Sequence, residues 1–277
     1  MSSVAISAAD VNKLRQQTGA GMMDCKKALI EANGDFEAAV DILRKKGQKV
    51  AANRADRSAG EGCVIAAVSA DKKFGVVLSL NCETDFVAKN EEFVQLTNDF
   101  VKLALDKKSK SKEDFLALDF NGISVNEKLV ERTGVIGEKI EIGSFETLEG
   151  EFIGHYIHAG NRLATIVAFN KATADDKAKQ VAMQVTAMNP ISVDEASVPA
   201  DVVARELEVG KELAIQEGKP AEMAEKIAQG RLNKFYKETT LLNQEFISNP
   251  KQTIKQFLAE GDKDLTDRES TRLNSSH

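Results

Sequence analysis

The sequence has no tryptophan, and aromatic residues make up only 5% of its 277 positions. Its three cysteines, Cys25, Cys63 and Cys82, are widely spaced and form no CxxC pair. An odd count with no signal sequence points to reduced thiols in a cytoplasmic protein. No apolar run approaches the roughly 18 residues that a membrane-spanning helix needs, so no membrane partner is expected. Basic residues are not in surplus either. Lys and Arg number 37 against 43 Asp and Glu, a net charge of −6. That argues against a broad nucleic-acid-binding surface and leaves room only for a local basic patch.

Catalytic and ligand motifs are equally scarce. Glycines precede a helix in TGAGMMDCKKAL (Thr18–Leu29), but the GxxxxGK[ST] phosphate loop is absent and the preceding segment is helical. The dinucleotide pattern would need a glycine where Asp24 stands. A tight turn between helices is the simpler reading. His155 and His158 are three apart in a strand-like segment, pointing to opposite faces, which makes a poor chelating pair. There is no HExxH and no nucleophile elbow, and Asp85 as an isolated acid specifies no reaction. Neither a metal nor a cofactor is expected, and the chain does not read as an enzyme.

What is present is an ordinary globular composition, 42% hydrophobic and 29% charged, long enough for two or three modest domains. The first fifty residues read as three short helices. Asp35 caps the third, Phe36, Ala39, Val40 and Leu43 share one of its faces, and Arg44-Lys45-Lys46-Gly47 closes it. Residues 48–60 read as a linker. Two strands follow, CVIAAVSA and FGVVLSLNC, apolar on both faces and therefore covered on both. Next comes a helix with the stripe Phe93, Leu96, Phe100 and Leu103, capped by Asn90. A second set of strands starts near Glu138: KIEIGSFETLEG, EFIGHYIH and RLATIVAFN, then the helix AKQVAMQVTAM. Strand pair followed by helix thus occurs twice. Between Val198 and Tyr236, two charged helices meet at Gly218-Lys219-Pro220, a helical hairpin with too few apolar positions to be deeply buried.

Two segments stand out. In NCETDFVAKN (Asn81–Asn90), an acid and an aromatic sit side by side where a strand gives way to a helix. Local pattern leaves two readings open: Thr84 or Asp85 caps the helix and Phe86 with Val87 is core, or the pair faces outward. The last eleven residues, DRESTRLNSSH, carry no apolar periodicity and resemble a translated sequencing adapter. Residues 267–277 are accordingly expected to be a foreign tail.

LRQQTGAGMMDCKKAL (Leu14–Leu29) and LNCETDFVAKNEEF (Leu80–Phe93) closely resemble, in order and separation, the two signature segments of the bacterial elongation factor Ts family. The resemblance extends through IGEKIEI, GHYIHAGNR and QGRLNKFYKETTLLNQEF. Ser79 stands where the second signature usually opens with glutamate, a change expected to be tolerated on the surface. The family also continues past Leu265 with a final strand, where DRESTRLNSSH stands here.

The resemblance implies an α+β fold: a ubiquitin-associated-like three-helix domain (1–50), a linker (51–60), and a core of two related α+β subdomains with antiparallel sheets (61–137; 138–197 with 237–266). A protruding helical hairpin (198–236) completes it. The implied activity is guanine-nucleotide exchange on elongation factor Tu, bound with GDP or nucleotide-free, by displacement of that partner's magnesium ion and without covalent chemistry. Thr84, Asp85, Phe86 and Val87 would act at the magnesium site, with Phe86 as wedge and Asp85 as the acid. Met22, Met23 and Lys26 would dock the N-terminal domain, while Ile136, Gly137 and His158 would support core contacts. A homodimer through the hairpin is a further expectation. The competing class is a non-catalytic adaptor that docks through the N-terminal bundle and the hairpin.

Overall fold

The computed structural model describes residues 5–275. The ends of the expected N-terminal domain (1–4) and tail (276–277) lie outside the described residues. Helix α1 (Ala8–Thr18) begins at a reciprocal cap in which Ser7 and Asp10 bond each other's backbone N–H. It ends at Gly19, whose φ of 70° turns the chain toward α2 (Met22–Glu31). The glycine run is thus an interhelical turn. Asp35 caps α3, which runs Phe36–Asn53, well past the glycine expected to end it. Gly47 is instead a buried mid-helix residue, and the helix takes the start of the expected linker, as far as Asn53, before an irregular stretch over 54–60.

Strands β1 (Glu61–Val68) and β2 (Phe74–Cys82) form the expected hairpin. After it come α4 (Asp85–Ala88), α5 (Glu91–Lys107), α6 (Lys112–Ala117), a small hairpin of β3 (Asp119–Phe120) and β4 (Ile123–Ser124), and α7 (Val125–Ile136). Strand β5 (Glu141–Glu149) then returns to pair with β2, giving the order β1-β2-β5. The sequence grouped β5 with the later strands; its partner belongs to the first sheet. Asn81 decides its register, because Gly143 opposite is the extra residue of a bulge and a Cβ there would lie 2.5 Å from the Asn81 amide. Ser79, expected on the surface, is 1% exposed and donates its hydroxyl to Asn81 Oδ1.

The second half repeats this plan. Strands β6 (Phe152–Ile157) and β7 (Leu163–Phe169) form a hairpin, α8 (Asp175–Met188) covers one face, and the helical hairpin α9 (Ala200–Gln216) and α10 (Ala221–Thr239) follows. A short β8 (Glu245–Phe246) and β9 (Asn249–Thr253) lead into α11 (Ile254–Ala259) and then β10 (Asp267–Asn274). The order β10-β7-β6 matches the first sheet: the second hairpin strand is central, and a late strand closes it antiparallel. The segment read as a foreign tail therefore occupies a strand. It fits poorly, since Asp267 Oδ2 and Arg272 Nε are buried without partners.

Alternation along the strands builds four layers. Cys63, Ile65, Val76, Leu78 and Leu80 face α5 and Phe115 of α6, whereas Val64, Ala66 and Val77 face Ile153, Ala164, Ile166 and Ala168 of the second sheet. Val167 and Phe169 point the other way, onto α8 and α11. Both sheets are covered on both faces, which explains their continuous apolar runs. The helical hairpin packs along small residues, with Gly210 against Ala228, and leaves Val209, Leu213, Ile215 and Met223 exposed.

Candidate functional site

The TDFV segment leaves the buried end of β2 and enters α4. Thr84 is the N-cap, its hydroxyl accepting the Val87 N–H, and Cys82 donates its thiol to the Thr84 carbonyl at 3.2 Å. Burial pushes the Cys82 thiol up to about 12, with Glu138 adding to the effect, so it stays a neutral donor. Val87 is half-buried against the first core cluster. Phe86 is not core. The residue is 84% exposed, the most exposed large apolar residue among those described.

Two glutamates hold this outward turn in place. The Glu138 carboxylate accepts the backbone N–H of Glu83 at 3.1 Å and of Thr84 at 3.0 Å, and the Thr84 hydroxyl at 2.7 Å. Glu83 reaches back to accept the Lys139 N–H at 2.7 Å. The same Glu83 takes Arg54, just past α3, at 2.8 and 2.9 Å. The Lys139 amide, then Arg54, hold the Glu83 carboxyl below the usual carboxylate range. Charge-assisted bonds of this kind are stronger than neutral ones, so the backbone under Phe86 is fixed before any partner arrives. The chain shows no single motif for this clamp; only two acids, Glu83 within the second signature and Glu138 in IGEKI, hint at it.

Asp85 is beside Phe86, at 39% side-chain exposure, paired with Lys89 at 2.6 Å. That hydrogen bond lowers the Asp85 carboxyl, and Arg162 contributes more weakly. The turn after β6 therefore lies near TDFV: Asn161 accepts the Val64 N–H, and Arg162 pairs with Glu61 at 3.0 Å. His158 is in this turn, exposed, with Nδ1 3.1 Å from the Tyr156 hydroxyl. Ile136 and Gly137 lie at the other end of the Glu138 clamp. Gly137 ends α7 with φ 81° and open space around it, while Ile136 packs partly on the core.

Met22, Met23 and Lys26 form a separate surface on α2. The two methionines are 54% and 63% exposed, because Cys25, Ala28 and Leu29 take the buried face. Ile30, 55% exposed, extends the patch. Its position four after Lys26 and eight after Met22 marks the same face, a signal the sequence reading passed over. Besides the Arg54–Glu83 pair, the bundle meets the core along α7. Gly47 of α3 crosses Gly134 of α7 so closely that a Cβ on Gly134 would lie 2.3 Å from the Gly47 Cα. Arg132 of α7 lies beneath Gly19 and reaches Glu92 of α5 at 3.4 Å.

Comparison with known proteins agrees with this architecture. Residues 83–274 match the family described as "Elongation factor TS". A protein named elongation factor Ts from Christiangramia forsetii is 54% identical over 255 residues, 91% of this chain and 92% of its own. One from Flavobacterium psychrophilum is 54% identical over 263 residues, covering 94% and 95%. Another from Porphyromonas gingivalis is 49% identical over 265 residues, covering 95% and 96%.

Proposed function

The chain belongs to the elongation factor Ts family of translation elongation factors, and on that premise we propose that it binds elongation factor Tu with GDP and accelerates GDP release. The observation that carries this reading is an exposed Phe86 on a backbone clamped from below by Glu138 and Glu83. A GTPase holds GDP through phosphate-loop amides and a magnesium ion that offsets phosphate charge. A rigid apolar wedge with an adjacent carboxylate disturbs that metal's surroundings. Phe86 supplies the wedge. Asp85 is ionised and exchanges its Lys89 partner for the metal's water shell, while Thr84 and Val87 fix the turn.

Met22, Met23 and Lys26, together with Ile30, form the second contact, as adaptable apolar side chains around a cation. Ile136, Gly137 and His158 flank the TDFV clamp and support the core contact. The exchange is release and rebinding, with no bond made or broken. Labelled-GDP release from elongation factor Tu, with catalytic amounts of this protein, tests the reading. Acceleration is expected; a folded sample with no effect refutes it. A second reading rests on the exposed Val209, Leu213, Ile215 and Met223 of the helical hairpin. There the protein is an adaptor or self-associates through the hairpin, and it binds without changing GDP release.

A further inference from the structure

Between the N-terminal bundle and the core lies an open cleft of about 520 Å³. Helix α1 contributes Arg15 and the amides of Asn12 and Gln17, helix α7 contributes Lys128 and Arg132, and Glu92 is the one acid among its described lining residues. Its charge balance is uneven. Lys128 is paired with Glu131 at 2.5 Å, but Arg15 has no ion pair among the described residues. Arg132 is 14% exposed, and its Nε is shut off from water without an acceptor. Its single ion pair, to Glu92 at 3.4 Å, is with a carboxylate that is 83% exposed. A pair of that kind is screened and weak, whereas a largely buried guanidinium needs full compensation. This seam therefore lacks negative charge.

We propose that the cleft is a binding site for a phosphate-type oxyanion, held between Arg132 of the core and Arg15 of the N-terminal bundle. Guanidinium groups present paired donors that match a tetrahedral oxyanion at two points. The amides of Asn12 and Gln17 supply neutral donors. No aromatic ring lines the cleft to stack a base, so recognition is of the phosphate group itself, as free phosphate or as the end of a phosphate ester. A ligand that touches both bodies also locks them together. It would hold the Met22–Met23 surface at a fixed place relative to Phe86, alongside the Gly47–Gly134 crossing.

Titration of the full chain with inorganic phosphate, and separately with a nucleoside 5′-monophosphate, at ionic strength matched with chloride, tests the proposal. Amide resonances of Gly19 and of residues around Arg132 are expected to shift saturably. At about ten times the dissociation constant, hydrogen exchange in α3 is expected to slow roughly tenfold, because opening the seam must release the ligand. Equal responses to both probes assign the site to any phosphate group, and a response to one alone identifies the source. Arg132→Gln is expected to abolish the response. Arg15→Gln, at an exposed position that leaves the fold intact, weakens binding at least about tenfold, one full pair of charge-assisted bonds. Lys27→Gln, an exposed cation of α2 outside the cleft, leaves it unchanged. No saturable shift in the native chain, or a loss as large in Lys27→Gln as in Arg15→Gln, overturns the proposal.

Discussion

An 84% exposed phenylalanine gains nothing from folding, so Phe86→Ala separates stability from activity. Surface substitutions away from special features change stability by at most about 0.5 kcal/mol, and this one is expected to fall in that range. Burying such a ring against a partner contributes about 1.5–3 kcal/mol, so GDP release is expected to slow about 10- to 100-fold. Complex formation with nucleotide-free elongation factor Tu survives; an unchanged release rate would remove the wedge. Sequence pattern alone left Phe86 between core and surface, because strand-to-helix turns use the same residues for both. What decides it is the long-range clamp from Glu138, which lies 54 residues from Thr84. Asp267 poses the opposite case, a carboxyl buried where an apolar side chain belongs. Burial pushes it up to about 7 from 3.8. Because the folded value is the higher one, stability is complete below about pH 3.8 and is lost as the pH rises through about 7. That difference corresponds to a penalty of up to about 4 kcal/mol at pH 8. Asp267→Asn keeps the acceptor for the Glu269 N–H and removes the charge. Its midpoint in thermal unfolding is expected to exceed the parent's at pH 8 and to approach it at pH 4.

Among elements, the crossing of α3 and α7 sets two glycines against each other with different outcomes. Either one replaced by alanine gains up to about 1 kcal/mol of helix propensity. At Gly47 the new Cβ meets the Val130 carbonyl at 3.5 Å, an ordinary contact, so Gly47→Ala is expected to be neutral or stabilising. At Gly134 it would lie 2.3 Å from the Gly47 Cα, and no flexible side chain is there to yield. Forced separation of packed elements costs about 1–3 kcal/mol, which outweighs the propensity. Gly134→Ala is thus expected to lower the unfolding midpoint and speed hydrogen exchange in α3. The sequence could not show this. RKKG has the composition of a helix end, and only a partner helix some ninety residues away reveals why glycine is needed inside one. The strands divide in the same manner. The apolar runs of β1, β2, β6 and β7 were legible, since both faces are covered. Strand β5 was visible as a strand but not its partner, because a period of two records faces and not neighbours. The final strand was invisible: DRESTRLN alternates nothing, and it pairs because the β7 edge exchanges backbone hydrogen bonds with a strand whatever side chains that strand carries.

For the whole molecule, the proposed function asks two separate surfaces to reach one partner. The N-terminal bundle carries Met22, Met23 and Lys26, and the core carries Phe86; Arg54 ties the end of α3 directly to Glu83 under TDFV. The two surfaces are therefore joined by charge-assisted bonds and by the glycine crossing, beside the irregular stretch over 54–60. Under the proposed function, binding at both surfaces would compete with GDP for the conformation of elongation factor Tu. Linkage makes that competition reciprocal: the factor by which this protein weakens GDP binding must equal the factor by which GDP weakens binding of this protein. A coupling of typical size, about 1–3 kcal/mol, is a factor of about 5 to 150. Calorimetric titration of elongation factor Tu with this chain, nucleotide-free and then saturated with GDP, measures one side of the cycle. GDP titration with and without the chain measures the other. The two ratios are expected to agree, and Phe86→Ala is expected to shrink both equally. Phe86→Ala that slows release while leaving both ratios intact would place the ring in the kinetics alone, acting on the path of release and not on the equilibrium between the two ligands.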